Sequence, residues 1–195
     1  MLAPDSYNGI RMEAIEALLS RASVTAWTGA GPDDNQLRTI LEAGVRAPDH
    51  GKLRPWRFIV IRGAGRDRLS ELFASALLRR DPSTPAAVVE KERAKPLRSP
   101  LTIAVIARVT EGHKIPVIEQ IVSAGAAAMN ILNATHALGF GAKWVTGANC
   151  YDPDFCAAFG LEATDRMVGF IHIGLAPPQP QTTRPDPADF TIEYR

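Results

Sequence analysis

The stretch over residues 118–140 is the longest run of low polarity in the chain, and it constrains the fold most strongly. No run approaches the ~20 apolar residues that a membrane-spanning helix requires, so this stretch is typical of a buried helix. Its middle, residues 123–128, has almost no side-chain bulk, and Gly139 and Gly141 end it as glycines end helices. We therefore predict a helix over 118–138 at the centre of the core or at a subunit interface.

Helical and strand patterns alternate along the rest of the chain. Apolar spacing predicts helices at 11–19, 37–45, 69–77, 86–94 and 154–159, and strands at 58–61, 101–107, 143–146 and 167–173. Strands separated by helices indicate an α/β or α+β layered domain, and the high helix content argues against a regular doubly wound sheet. We expect one domain over 1–195, in which 81–100 is a surface excursion and 177–195 a Pro-rich extended arm.

The composition excludes several classes of function. A net charge of +1 gives no electrostatic reason to expect nucleic acid or an anionic membrane as a partner. Cys150 and Cys156 are too few for a disulfide framework, which favours a reducing compartment, and the first nine residues show no secretory signal. We expect a cytoplasmic protein.

The familiar catalytic motifs are missing. Three G-x-G pairs, at 29–31, 63–65 and 139–141, lack the third glycine of a dinucleotide fingerprint, and no Walker-type loop, nucleophile elbow or zinc helix is present. The histidines have no companions at metal-ligand spacing, so we expect no metal site. If the chain is an enzyme, a bound cofactor supplies the chemistry while the protein supplies position and charge.

The loop over 46–56 offers the densest set of binding groups. It carries three cations, a titratable imidazole and an aromatic ring between an amphipathic helix and a predicted strand: Arg46, Lys52, Arg54, His50 and Trp56. Fixed cations beside an aromatic ring suit a planar anionic ligand such as a phosphorylated cofactor. A Pro-rich connector with solvated charges is the competing interpretation.

Taken in order, the motifs of this chain resemble those of the flavin-dependent nitroreductase family, in particular its small members. The resemblance is carried by Arg-Ala-Pro-Asp-His at 46–50 with Pro-Trp at 55–56, Arg-Ser-Pro-Leu at 98–101, His-Lys-Ile-Pro at 113–116 with Glu-Gln at 119–120, Ser-Ala-Gly at 123–125, Gly-Phe-Gly at 139–141 and Val-Gly-Phe-Ile-His-Ile-Gly at 168–174. Six such strings in one order cover nearly the whole chain.

The resemblance implies an α+β fold with a central, mostly antiparallel sheet flanked by helices, and an intertwined homodimer. It implies two FMN molecules at the subunit interface, each touched by both chains. It further implies a ping-pong reaction in which NAD(P)H reduces the flavin and a nitroaromatic or quinone acceptor then takes the electrons. In this family no side chain is a required general acid or base, so the resemblance implies no catalytic residue.

Site residues carry over position by position. The matching FMN contacts are Arg21, Ala22, Ser23, Arg46, His50, Trp144, Val145 and Thr146. A segment associated with the nicotinamide nucleotide matches Ala134, Thr135, His136, Ala137, Leu138 and Gly139. Within this second set Gly139, at the helix end, is the residue best placed to touch a ligand.

The chain departs from the family at two phosphate-binding positions. Relatives usually carry cations where this chain has Ala22 and Val145. A charge-assisted contact is worth roughly 1.5–3 kcal/mol, so two losses predict FMN binding weaker by about one to four orders of magnitude. Arg54, or Arg184 from the partner's tail, offers partial compensation.

Two alternatives therefore stay open. One is a protein of the same fold that holds FMN weakly or not at all and acts as a ligand-binding or regulatory module. The other is different chemistry on the same scaffold, such as flavin breakdown or dehalogenation, although the 81–100 segment has the ordinary length for small members.

Overall fold

A computed structural model describes residues 12–178 and 183–195. Its centre is one four-stranded sheet with the order β1-β2-β4-β3, in which every neighbouring pair is antiparallel. The strands are β1 (Trp56–Arg62), β2 (Leu101–Arg108), β3 (Gly141–Val145) and β4 (Asp165–Gly174). The predicted α+β fold with a mostly antiparallel sheet is thereby confirmed.

Six α-helices surround the sheet within the described ranges. They are α1 (Ala14–Ser20), α2 (Asp34–Gly44), α3 (Ala64–Arg80), α4 (Ala86–Arg93), α5 (Val117–Ala137) and α6 (Pro153–Ala158). Single 3-10 turns cover His50–Lys52, Lys95–Leu97, Ala148–Tyr151 and Pro187–Phe190. Arg11, the predicted start of the first helix, lies outside the described residues.

A capping box decides where α2 begins. The Asp33 carboxylate accepts a hydrogen bond from the Gln36 backbone N–H at 2.8 Å, and the Gln36 side chain accepts one from the Asp33 N–H at 3.0 Å. Because both bonds satisfy N–H groups that a helix start leaves free, Asp33 rather than Asp34 is the cap.

The sheet is buried on both faces. Leu101, Ile103 and Val105 of β2 point toward α2 and α5, whereas Ala104 and Ile106 pack with the residues of α3 and α6 on the other face. Successive side chains alternate between the faces of a strand, so burial of both faces gives β2 its continuous apolar sequence.

The long helix α5 has two different faces. Its inner face is fully buried through small residues such as Ala124, Ala127 and Ala128, which allow close packing against the sheet and α2. Its outer face is exposed and apolar: 64% of Ile118 and 62% of Val122 are exposed. The helix therefore contributes to the core and also presents a second apolar surface.

Both the 81–100 segment and the C-terminal tail have defined contacts. The 81–100 segment contains α4, which is tied to α3 by a hydrogen bond from Ser70 Oγ to the Arg93 carbonyl and by an ion pair between Arg93 and Glu71. In the tail, Asp186 caps the turn at Pro187–Phe190, and residues 179–182 of the predicted arm lie outside the described residues.

No helix in the described part of the chain combines the length and the apolar character that crossing a membrane requires.

Candidate functional site

The segment over 21–25 runs beside the edge strand β3. Ser23 forms a parallel bridge with Ala142, and the Val24 N–H donates to the Ala142 carbonyl at 3.2 Å. The Val24 side chain is buried, while Ser23 and Thr25 are exposed on either side of it. The segment therefore places exposed polar residues beside the edge strand β3. A group of cations lies at its Arg21 end and a cavity at its Thr25 end.

A cluster of cationic groups lies at the Arg21 end. An Arg184 Nη2 donates to the Arg21 carbonyl at 2.8 Å, and burial together with the nearby Arg184 charge lowers the pKa of Arg21. Ser20 Oγ lies 2.9 Å from His136 Nε2, and burial and the Arg21 charge lower the pKa of that imidazole. No carboxylate pairs with Arg21 or Arg184 among residues 12–178 and 183–195, so this cluster suits an anion.

A cavity of about 430 Å³ lies at the Thr25 end, between the sheet and α3. Its apolar walls include Phe73, Leu77, Val145 and Phe170, and its polar lining includes Thr25, Arg80, Glu92, Lys95, Arg98, Lys143, Thr146 and His172. A volume of this size falls within the range of small-molecule and cofactor sites.

Two of the cations lining the cavity are committed to protein partners. Arg80 contacts Asp152 Oδ2 at 2.5 Å, and Lys95 contacts Glu92 Oε2 at 2.5 Å. Arg98 and Lys143 have no ion-pair partner within the described ranges. These two cations are therefore available to a ligand.

A polar row crosses the sheet at the floor of the cavity. Lys143 of β3 lies opposite His172 of β4, which lies opposite Thr102 of β2. His172 Nδ1 is 2.9 Å from Thr102 Oγ1 and 3.1 Å from Ser99 Oγ, and the Trp27 ring lies 5.8 Å from the imidazole. Polar side chains on an otherwise apolar sheet face indicate a ligand-binding role.

His172 is neutral at physiological pH. Only 7% of the residue is exposed, and burial, aided by the charges of Arg98 and Lys143, lowers its pKa to about 4. Burial favours the neutral imidazole because the charged form loses its hydration, and two nearby cations act in the same direction.

Trp144 occupies the opposite face of β3 from the cavity. It packs against the core on the α5 side, and its Nε1 donates to the Val168 carbonyl at 3.1 Å. A Cβ at Gly169, whose φ is +148°, would lie 2.3 Å from Trp144 Nε1, so only glycine allows this contact. The side chains of Val145 and Thr146, unlike that of Trp144, reach the cavity.

The loop over 46–54 lies against the first half of α5. His50 Nδ1 is 2.6 Å from Glu119 Oε2, and Ser123 Oγ donates to the Pro48 carbonyl at 2.6 Å. The Asp49 carboxylate accepts from the backbone N–H groups of Leu53 and Arg54, and Arg54 has a φ of +51°. Arg46 is exposed.

Two groups of predicted site residues are therefore far apart within one chain. The Arg21 cluster contacts α5 at His136, whereas the loop contacts it at Glu119, about 25 Å away for a helix that rises about 1.5 Å per residue. No residue of the 46–54 loop lines the cavity.

The predicted nicotinamide segment at 134–139 is mixed in exposure. Thr135 is fully buried and its Oγ1 has no hydrogen-bond partner, whereas Gly139 is exposed with a φ of +83° and open space around its Cα. His136 contacts Ser20 in the cationic cluster.

Sequence reasoning missed several residues of the cavity. Thr25, Arg98, Lys143 and His172 were not among the predicted site residues, although Arg98 and His172 lie in motifs that carried the resemblance. The signal for Lys143 was available, since residues two apart on a strand share a face and Val145 was already predicted to touch a ligand.

The thiols and acidic groups offer no additional chemistry. Cys150 is buried in the cavity wall, and burial together with Cys156 raises its pKa to about 12, so it is a poor nucleophile. Within the described residues no group of three or more His, Cys, Asp or Glu side chains is placed to hold a metal ion.

Comparison with known proteins decides the family. The family model described as "Nitroreductase family" matches residues 18–175. The chain belongs to the nitroreductase family. It is 39% identical over 185 residues to "Putative NAD(P)H nitroreductase YdjA" of Escherichia coli K12, covering 94% of this chain and 100% of that protein. The predicted family is confirmed.

Solved structures agree with this assignment at the level of the fold. A nitroreductase-like family protein from Bacillus cereus shares 22% identity and has a TM-score of 0.81, covering 98% of each chain. A structure from Desulfovibrio desulfuricans, described as a "putative nitroreductase in complex with fmn", shares 24% identity with a TM-score of 0.72 and covers 95% of this chain and 99% of that one.

Proposed function

We propose that this nitroreductase-family protein is an FMN-dependent oxidoreductase that passes hydride from NAD(P)H to nitroaromatic or quinone-like acceptors by a ping-pong mechanism. The observation that carries the proposal is the 21–25 segment, which joins a cationic cluster lacking carboxylates to a cavity of about 430 Å³. One end suits a phosphate and the other a flat ring. The relatives named as nitroreductases and the FMN-bound neighbour support the choice of cofactor.

The residues present fit FMN. Arg21, Ser23 and Arg184 would hold the phosphate, because two guanidinium groups without an acidic partner gain most from a bound dianion. Val145 and Thr146 would contact the ring from the cavity wall. The chemistry that bound FMN supplies is hydride uptake from NAD(P)H and its delivery to the acceptor, so the protein needs no acid or base of its own.

Two of the other predicted FMN contacts would come from a second subunit. Arg46 and His50 lie about 25 Å along α5 from the cluster that contacts His136, so we assign them to the flavin site of the partner. A symmetric dimer supplies each of two sites with the Arg21 half of one chain and the Arg46 half of the other.

The surface of the chain supports such a dimer. Ile118, Val122 and Met129 form an exposed stripe along α5 with the half-buried Gly125 between them, and a Cβ at Gly125 would meet nothing within 4 Å. Positions at this spacing share one face of a helix, and the central glycine lets a second helix approach closely. We propose that α5 packs against its copy here.

Helix α1 and the C-terminal arm carry further exposed apolar side chains. Leu19 of α1 is 75% exposed, and Phe190, Ile192 and Tyr194 of the arm are exposed by 75% or more. Apolar side chains of this size and number are typical of subunit contacts rather than of a monomer surface. We propose that the arm over 183–195 lies across the partner, as the intertwined dimer requires.

Two cations offset the departures from the family pattern. Lys143 lies two residues before Val145 and lines the same cavity, and Arg184 reaches Arg21 beside Ala22 within its own chain rather than from the partner. We therefore propose that FMN binding survives the loss of cations at positions 22 and 145, and that this chain is a working flavoprotein rather than a module without cofactor.

Gly139 is the part of the 134–139 segment that a nicotinamide nucleotide would contact, because it is exposed while Thr135 is buried.

We place the reaction in the cytoplasm, since Cys150 and Cys156 are both free thiols.

A flavin titration of the purified protein tests this function. We expect quenching of FMN fluorescence that saturates at one FMN per chain, followed by bleaching of the flavin absorbance when NADH or NADPH is added without oxygen. Reoxidation by a nitroaromatic or a quinone would complete the cycle. Absence of saturable binding at tens of micromolar FMN would overturn the proposal in favour of the cofactor-free module.

A further inference from the structure

A hydrogen-bonded group of polar side chains joins α3 to the 3-10 turn that follows β3, in the wall of the cavity. Arg80 Nη1 contacts Asp152 Oδ2 at 2.5 Å, and Arg80 Nη2 donates to Asn149 Oδ1 at 2.8 Å. The other Asp152 oxygen accepts hydrogen bonds from the backbone N–H groups of Asp154 and Phe155 at 3.0 and 3.1 Å. Because the carboxylate is held at both oxygens, it fixes the position of the guanidinium.

The position of Arg80 decides how the Asn149 amide is turned. A guanidinium only donates, so the atom of Asn149 that faces it is the oxygen, and the NH2 group points the other way. This NH2 group has no hydrogen-bond acceptor among residues 12–178 and 183–195, yet it is not among the unpaired side-chain atoms that are sealed from solvent. Asn149 is only 5% exposed and lines the cavity. A donor this deeply buried is costly unless a ligand supplies its acceptor.

The cavity wall around this amide comes from a single chain. Helix α3 supplies Phe73, Leu77 and Arg80 to the lining, and the turn supplies Asn149 and Cys150. Helix α3 packs on the sheet face opposite to α5, whose exposed stripe is the proposed subunit contact. A ligand at this wall therefore lies within one subunit, unlike the flavin, which the proposed function places between two.

We infer that the Asn149 amide, oriented by Arg80, opens on the cavity and donates a hydrogen bond to a nitro or carbonyl oxygen of the electron acceptor. The inference rests on the proposed function and names the group that recognises the acceptor. Quinones and nitroaromatics are flat and carry their oxygens at the edge of the ring, which matches an apolar wall with one oriented neutral donor. A site that hydrogen-bonds a ligand oxygen discriminates against analogues that lack it, so Asn149 determines which acceptors react fast.

The test is the rate at which the FMN-loaded protein, reduced by one equivalent of NADH or NADPH without oxygen, is reoxidised by each of two acceptors in a stopped-flow spectrometer. Menadione has two carbonyl oxygens, whereas methylene blue is a flat dye without an oxygen atom. We expect Asn149→Leu to lower the second-order rate constant for menadione by about tenfold, because one hydrogen bond to the acceptor is lost. The rate constant for methylene blue should stay unchanged.

Further variants separate the amide from the fold. Asn149→Asp keeps an oxygen for Arg80 and replaces only the donor, so it should slow the reaction with menadione at least as much. Arg80→Met frees the amide to turn its oxygen toward the cavity and should slow menadione but not methylene blue. Asn35→Leu, which removes an exposed amide of α2 outside the cavity, is the matched control and should leave both rates unchanged.

The outcomes distinguish this inference from the proposed function. If Asn149→Leu keeps the menadione rate, or slows both acceptors equally, the amide does not recognise the acceptor oxygen and the inference is overturned while the oxidoreductase stands. If Asn149→Leu weakens FMN binding in the fluorescence titration, the amide serves the flavin and the inference is likewise overturned. If the wild type binds no FMN, the proposed function and the inference fail together.

Discussion

Replacing His172 by glutamine should change how the stability of the protein depends on pH. The imidazole has an ordinary pKa of 6.5, which the folded protein lowers to about 4. The unfolded chain therefore binds the proton more tightly than the folded one, and stability is lost as the pH falls from about 6.5 toward about 4. At about pH 4.5 this linkage amounts to about 2.5 kcal/mol, and above the ordinary pKa it vanishes.

Urea unfolding of the FMN-free protein at about pH 8 and about pH 4.5 measures this effect. The wild type should lose about 2.5 kcal/mol more than His172→Gln between the two pH values, because the variant has no group that titrates at this position. Comparing the two losses cancels the contributions of all other titrating groups. Equal losses in the two proteins would show that His172 is not a buried neutral imidazole in the folded protein.

Three further substitutions probe the fold and the proposed dimer. Gly169→Ala should destabilise the protein by about 1–3 kcal/mol in chemical denaturation, because its methyl group overlaps Trp144. Gly112→Ala is the control, since a Cβ there meets nothing within 4 Å, and a smaller loss of stability in Gly169→Ala than in Gly112→Ala would refute the overlap. Val122→Glu should convert a dimer to monomers in analytical ultracentrifugation, since it places a charge in the α5 stripe; an unchanged sedimentation coefficient would exclude that interface. Asp33→Ala should cost about 1 kcal/mol through loss of the α2 cap, and an unchanged denaturation midpoint would contradict the capping box.

Much of the fold could be predicted because periodicity reports burial directly. The apolar spacing at 101–107 predicted the strand β2, and the small residues of α5 predicted either core or interface. In the structure one face of α5 belongs to the core and the other is open to a partner, with Ala124 buried and Val122 exposed. Strand order and direction do not follow from periodicity: the antiparallel direction was implied by the family resemblance, and the order β1-β2-β4-β3 is known only from the structure.

The candidate site was less predictable because it depends on contacts between distant parts of the chain. Lys143, His172 and Thr102 form one row only once β2, β3 and β4 are aligned in register. Trp144 and Val145 are adjacent in sequence but lie on opposite faces of β3, so a motif that names both cannot show which one faces a ligand. Arg184 contacts Arg21 across 163 positions of sequence, which no local pattern encodes.

Each proposed flavin site combines the Arg21 half of one chain with the Arg46 half of another. Mixing two variants tests it, one carrying Arg21→Gln with Ser23→Ala and the other Arg46→Gln with His50→Gln. If both halves are needed and come from different chains, neither variant alone binds FMN tightly. Refolding them together should then restore wild-type affinity at about one quarter of the sites, because half of the dimers are mixed and each has one intact site. No restored sites in the mixture would show that one chain supplies the whole flavin site.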